Sequence, residues 1–250
     1  TLILGFVTPV VAYFLVRRFV GLDETNGAAV AAHYGSVSAV TFLAAIEATR
    51  IAGLESEGFM AALVAVLEVP GIIVGLVLAR RSASGSLGKA VRDVLTGKSI
   101  LLLVGGLIIG TVSGAEKVET VAPFFIDPFR GALCLFLLDL GMVAARRMGD
   151  MKAGGWKLIA FGCVAPCING ALGVLGAVLV GMSPGGAAVM GAMVGSASYI
   201  AAPAAVRIAL PQASPGIYLT LSLGVTFPFN LLVGIPLYLK FSQWLSQALA

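Results

Sequence analysis

The stretch that most constrains this chain is Gly186 to Arg207, read as Gly186-Ala187-Ala188-Val189-Met190-Gly191-Ala192-Met193-Val194-Gly195-Ser196-Ala197-Ser198-Tyr199-Ile200-Ala201-Ala202-Pro203-Ala204-Ala205-Val206-Arg207. It is apolar and long enough to cross a bilayer, which takes about 20 helical residues. Its middle disfavours a helix. Glycine costs about 1 kcal/mol and proline about 3 relative to alanine, and serine competes for backbone hydrogen bonds. Inside a membrane, loosened backbone is tolerated only where it is buried in protein or lines a cavity. The segment therefore reads as a broken crossing helix at a binding site, in competition with a helix packed closely through small residues.

The pattern occurs twice. Gly27-Ala28-Ala29-Val30 returns as Gly186-Ala187-Ala188-Val189, and Gly35-Ser36-Val37-Ser38 returns as Gly195-Ser196-Ala197-Ser198. Pro70 and Pro228 keep nearly the same offset, and Arg50 and Arg207 close the two interrupted segments. Agreement of these offsets to within a few residues points to a duplicated unit.

Composition sets the class. Hydrophobic residues are 59% and charged residues 11%, against about 25% charged in a soluble domain, so the fold expected is an all-α polytopic membrane protein. The net charge of +4 comes from short basic clusters between apolar runs. That is the positive-inside pattern and not a nucleic-acid footprint. Cys134, Cys163 and Cys167 lie in apolar segments without metal-like spacing, and read as small buried side chains.

About eight spans are expected: Leu2 to Val16, Ala28 to Thr49, Phe59 to Ala79, Ile100 to Ser113, Val121 to Ala145, Leu158 to Val180, the second interrupted segment, and Ile217 to Leu239. Gly106, Gly110 and Gly114 make a face suited to close helix approach. Putting Arg80 to Lys98 in the cytoplasm puts Arg17, Arg18, Arg146, Arg147, Lys152, Lys157 and Arg207 on the same side. The two interrupted segments then run in opposite directions, as inverted repeats with an odd number of spans require. The division expected is residues 1–81 as the remnant of a first repeat, 82–98 as a mobile cytoplasmic loop, and 99–250 as a second five-span repeat. Because Thr1 already opens a span and the first copy is the shorter, no signal peptide is expected, and two N-terminal spans are expected to be missing.

An ionisable group at mid-membrane costs about 2.5–3.5 kcal/mol or more, so each needs a reason. Glu68 lies at the centre of its span, two residues before Pro70. Thr226 lies two residues before Pro228, with Asn230 one turn beyond. Each proline frees a carbonyl one turn earlier, so these residues read as oxygen ligands for a hard cation, Na⁺, with a protonated, hydrogen-bonded Glu68 as the competing reading. Asp139 is a further cation candidate, or a salt-bridge partner of the nearby arginines. Asp127 with Arg130 and Glu47 with Arg50 have the spacing of local pairs, and His33 reads as a packed residue. The repeated Gly35, Ser36, Ser38, Thr41, Gly195, Ser196 and Ser198 are the candidate substrate contacts. No nucleophile–base pair, metal cluster or phosphate loop is apparent, so an enzyme is not expected, and an intramembrane hydrolase and a passive channel are the weaker alternatives.

Gly195 to Pro203, Val225-Thr226-Phe227-Pro228-Phe229-Asn230 and Leu135 to Arg147 resemble the cyanobacterial sodium-dependent bicarbonate transporter (SbtA-type) family, with likeness over essentially the whole chain. The resemblance implies ten spans as two inverted five-span repeats, with a core of spans three to five and eight to ten and a gate domain of the others, so that spans six and seven are the gate helices of this chain. It implies symport of Na⁺ with bicarbonate, or a related small anion, in a bacterial plasma membrane. It also implies a homotrimer and regulation from the cytoplasm by a PII-like protein. Of the first interrupted segment it carries over Gly35, Ser38 and Thr41.

Overall fold

A computed structural model describes residues 1–79, 86–148 and 151–249. Every regular element among them is helical. Helix α1 (Leu2–Leu15) runs on through one wide π turn, Val16–Val20, and stops at Gly21, whose φ of 87° only glycine adopts readily. Arg17 and Arg18 therefore lie inside the helix, not beyond it as expected. The Arg17 guanidinium donates to the Tyr13 hydroxyl at 3.0 Å, one turn back, and sits over the Tyr13 ring.

The first interrupted segment is broken where its sequence is weak. Asp23 caps α2 (Glu24–Tyr34), accepting from Asn26 N. The chain leaves helical geometry at Gly35 to Ser38, and α3 (Ala39–Ile51) begins with Ser38 as its cap. In the second copy α9 (Pro184–Val194) is capped by Ser183, and α10 (Ala201–Ala209) resumes after Gly195 to Ile200. On the far side of α3, Glu47 and Arg50 form the expected pair, at 2.7 and 2.9 Å. The Arg130 side chain proposed to pair with Asp127 lies outside the described residues.

Among the described residues, six helices are long and apolar enough to span a membrane: Leu2–Val20, Glu24–Ile51, Met60–Leu78, Val91–Gly114, Gly155–Leu179 and Pro215–Leu249. The two others of the expected eight are shorter apolar pieces, Gly131–Val143 within α7 (Phe129–Met148) and Pro184–Val194. The break at Gly195 divides the second crossing segment into pieces too short to span alone. The last span is longer than expected. It runs from α11 (Pro215–Leu219) through π turns at Thr220–Thr226 and Asn230–Gly234, which flank α12 (Phe227–Phe229), into α13 (Ile235–Leu249). Pro228, without an N–H, leaves the helical ladder one bond short, and the wide turns lie on either side of it.

The core forms around the two crossing segments. Ala28, Ala29, Val30, Ala31 and Ala32 of α2 are fully buried, and α4 (Met60–Leu78) crosses them through Gly71 and Gly75. A Cβ at Gly71 would overlap the Gly35 carbonyl, and one at Gly75 the backbone of Ala32. This is where small residues bring helices together. The expected face of Gly106 and Gly110 on α6 (Lys98–Phe125) instead opens on a groove beside Ala61, with no atom within 4 Å of an added Cβ. Gly114, with φ 75°, kinks α6. Helix α8 (Met151–Leu179) packs on α9 through Gly173, against Gly191 and the Met190 carbonyl.

Part of the expected mobile loop is a helix. Ser86 caps α5 (Leu87–Leu95), and Val94 is buried while Lys89 and Arg92 are exposed. Val91 and Val94 supply a helical apolar stripe, by which α5 packs on α10. Arg80 and Arg81 lie outside the described residues.

The loop after each crossing segment meets the start of the other. Ser183 N donates to Glu57 Oε1 at 2.6 Å, and Ser183 Oγ donates to the Glu55 carbonyl at 2.9 Å. Reciprocally, Ser214 N donates to Asn26 Oδ1 at 2.8 Å. Glu57 thus places a carboxylate at the positive N-terminus of α9. Glu57→Gln removes its charge, and a charge-assisted bond of this kind at a helix start contributes about 1–2 kcal/mol. A lower thermal midpoint in detergent, with uptake per folded molecule unchanged, is the expected outcome.

Candidate functional site

The two breaks touch. Ser38 N donates to Ser196 Oγ at 2.8 Å, and Ser198 N donates to the His33 carbonyl at 2.8 Å. Ser196 Oγ in turn donates to the Met193 carbonyl at 2.7 Å. Each bond satisfies a backbone group that a broken helix would otherwise leave bare in an apolar interior.

Beside this crossing lies a cavity of about 330 Å³, lined by Val37, Ser38, Ala39, Val64, Glu68, Leu102, Leu103, Ser198, Tyr199 and Ile200. It brings Ser38, Ser198 and Glu68, from three separate segments, to one place. Ser38 Oγ accepts from Thr41 N at 3.2 Å and Thr41 Oγ1 at 3.0 Å, and the Tyr199 hydroxyl lies beside it in the cavity wall. Ser198 Oγ accepts from Ala202 N at 3.2 Å, and its own proton is not used in that bond. The cavity also receives the N-terminal ends of α3 and α10. The first N–H groups of a helix have no partner within it, and they carry partial positive charge. Glu68 forms no hydrogen bond or ion pair with described residues. It is 7% exposed, and that exposure faces the cavity.

The remaining candidates are placed otherwise. Thr41 stands behind Ser38 and holds it. Ser196, 1% exposed, locks the two breaks together, and Gly35 and Gly195 supply close backbone approach, Gly35 against Pro9 and Gly71 and Gly195 against Tyr238. Ser36 is buried and does not line the cavity. Thr226 Oγ1 donates to the Gly162 carbonyl at 2.8 Å and shares a 2.6 Å bond with the Tyr34 hydroxyl. Asn230 Nδ2 donates to the Gly195 carbonyl at 2.9 Å, and its Oδ1 accepts from Tyr238 at 3.1 Å. Both residues are fully buried with their hydrogen-bonding groups engaged by protein, and neither lines the cavity. Asp139 is exposed on α7 and does not line the cavity. His33, fully buried, packs its ring on Tyr218 with 4.5 Å between centroids.

Sequence reasoning missed several lining residues. Val64 lies one turn before Glu68 on the same face of α4, a spacing that could have found it. Tyr199 directly follows the Ser198 break. Leu102 and Leu103 come from α6, and no local pattern signals that α6 closes this cavity.

The model of one family matches residues 1–243. The chain belongs to the Na⁺-dependent bicarbonate transporter superfamily. No curated protein matches the chain. Membership in this superfamily, with several apolar helices of spanning length, makes the chain a multi-pass membrane transporter and not an enzyme. The superfamily's Na⁺ dependence implies sodium as the coupling ion.

Proposed function

We propose that this chain is a Na⁺-coupled symporter of bicarbonate, in which the anion binds in the cavity between the two breaks. The observation that carries the reading is the convergence of Ser38, Ser198 and Glu68 on one cavity at the starts of α3 and α10. Two hydroxyl donors and two helix N-termini suit a small oxyanion. Among the described residues no lysine or arginine lines the cavity, so a Na⁺ held at Glu68 supplies the attraction that the anion otherwise lacks. The two charges then stabilise each other in a site poor in water. With one Na⁺ per bicarbonate the cycle is electroneutral, and a tenfold Na⁺ gradient supplies about 1.4 kcal/mol.

The reciprocal loop contacts and the opposed breaks support an inverted repeat. Helix α6 is barely buried and meets the rest of the chain mainly through α4, which suits a gate that moves against the core in alternating access. Its exposed apolar residues, Leu101, Ile108, Ile109 and Val112 among them, suit lipid or the contacts of a homotrimer. Helix α5, basic on its exposed face and packed on α10, suits a cytoplasmic regulator of the PII-like kind. The bacterial plasma membrane is the compartment proposed.

The test is uptake of labelled bicarbonate into proteoliposomes with and without a Na⁺ gradient, with nitrate and formate as competing small anions. Uptake indifferent to Na⁺ would overturn symport, and stronger competition by another anion would reassign the substrate. Ser38→Ala and Ser198→Ala each remove one donor. Each is expected to raise the KM for bicarbonate about 5–10-fold, the worth of a hydrogen bond of about 1–1.4 kcal/mol, while the loss of the bond each hydroxyl accepts at a helix start, about 1 kcal/mol, lowers the thermal midpoint modestly. Normal transport by both variants would place the anion elsewhere.

A further inference from the structure

A groove of about 660 Å³ runs between the end of α1 and the first half of α8, and no residue of either break lines it. Leu15 and Phe19 form one wall, and Phe161, Val164 and Ile168 the other. Leu4 lies against Gly176, so α1 and α8 run antiparallel, and Arg18 falls at the same end of the groove as Trp156 and Lys157. The wide turn of α1 separates the two arginines. Arg17 is engaged by Tyr13, whereas Arg18, exposed, lines the groove. Neither α6 nor α7 contributes to its walls.

Charge and length together select the occupant. Among the described residues no acidic side chain lines the groove, and neither Arg18 nor Lys157 has an ion-pair partner there. Trp156 is 73% exposed, and tryptophan favours the headgroup level of a bilayer. The basic end therefore lies at the membrane surface, on the cytoplasmic side by the positive-inside rule. From Lys157 to Ile168 the lining of α8 covers about 16 Å at 1.5 Å per residue. That is about half of the roughly 30 Å hydrocarbon core, the depth of one leaflet. A spanning helix would need a trough twice as long, whereas an acyl chain entering at the charged end needs no more. Basic pockets between helices on this side suit anionic headgroups. We propose that the groove holds one anionic phospholipid of the cytoplasmic leaflet, its phosphate between Arg18 and Lys157 and an acyl chain along Phe19, Val164 and Ile168. Phe161 connects the groove to the crossing: its ring meets that of Tyr34 with 5.0 Å between centroids, and Tyr34 ends α2 at the first break. A filled groove steadies that wall and so the end of α2.

The test purifies the full chain in detergent and reads thermal unfolding against added dioleoyl phosphatidylglycerol. Phosphatidylcholine with the same chains and glycerol 3-phosphate without chains are the comparison arms. The wild-type midpoint is expected to rise with the logarithm of phosphatidylglycerol concentration, and to rise far less in either comparison arm. Arg18→Gln with Lys157→Gln is expected to need at least tenfold more phosphatidylglycerol for the same rise. Val164→Trp, which fills an exposed part of the groove and keeps both charges, is expected to act in the same direction. Lys240→Gln, which removes an exposed charge at the end of the last span, should behave as wild type. Native mass spectrometry should find one phosphatidylglycerol retained per wild-type chain and none on the Val164→Trp chain. Equal stabilisation by phosphatidylcholine would overturn recognition of the anionic headgroup, and equal stabilisation by glycerol 3-phosphate would make the site one for a free anion. Stabilisation by phosphatidylglycerol that the double variant and Val164→Trp both keep would place the lipid elsewhere. A lipid-free oligomer that Val164→Trp dissociates would give the groove to a second copy of the chain, and would equally overturn the proposal.

Discussion

Bicarbonate uptake by Glu68→Gln is expected to need at least tenfold more Na⁺ for half-maximal rate, about 1.4 kcal/mol of lost cation binding. Glutamine keeps the shape of the side chain and the packing of α4, so the protein should be made and extracted at wild-type levels. The charge is what is lost. Glu68 opens on the cavity without a hydrogen-bond or ionic partner among the described residues, and an ionised carboxylate in that position is costly unless a cation joins it. Uptake as a function of Na⁺ at saturating bicarbonate isolates the effect. Wild-type Na⁺ dependence in Glu68→Gln would make Glu68 a protonated structural residue and place the cation site elsewhere.

The second large effect belongs to a residue with no side chain. Gly71→Ala puts a methyl group onto the Gly35 carbonyl and within 2.6 Å of the Gly35 Cα, and neither backbone can move without opening the first break. Overpacking of this kind costs about 1–3 kcal/mol and occasionally more. Here the displaced atoms adjoin both Ser36 and the bond from Ser38 to Ser196. Transport is expected to fall below a tenth of wild type, and the thermal midpoint to fall with it. Gly106→Ala is the matched control. Its new methyl meets no atom within 4 Å, and alanine favours the helix by about 1 kcal/mol, so stability should hold or rise. Equal behaviour of the two variants would show that the crossing is not packed as described.

The contrast between those glycines marks where the sequence is readable. The breaks at Gly35 to Ser38 and Gly195 to Ile200 were legible because glycine, serine and proline act on the backbone through their immediate neighbours. Glu68 was legible because a charge in an apolar run needs a reason wherever it lies. Gly71 and Gly75 have the same four-residue spacing as Gly106 and Gly110, and only the partner helix separates a tight crossing from an open groove. Partners are set by tertiary packing, to which spacing alone is blind. The same limit applies to Thr226 and Asn230. Their position before and after Pro228 matches that of Glu68 before Pro70, yet Tyr34, Gly162, Gly195 and Tyr238 already engage them, and three of those four come from other segments. Helix α5 was missed because its basic residues and glycines hid a short apolar stripe that matters only once α10 is beneath it.

The bonds that tie each crossing segment to the other have a consequence for the order in which the protein is made. Ser38 and Ser196 are 158 positions apart, and Asn26 and Ser214 are 188 apart. A ribosome adding about 5–20 residues per second emits the partner of Ser38 roughly 8–30 s after Ser38 itself. Through that interval the first break has entered the membrane with backbone groups that nothing yet satisfies, at a cost of several kcal/mol for each one exposed to lipid. The first half of the chain is thus an obligate waiting intermediate. It must be sheltered by insertion machinery or water until the second half arrives, and a ribosome that stalls before Ser196 leaves a fragment with no finished state to reach.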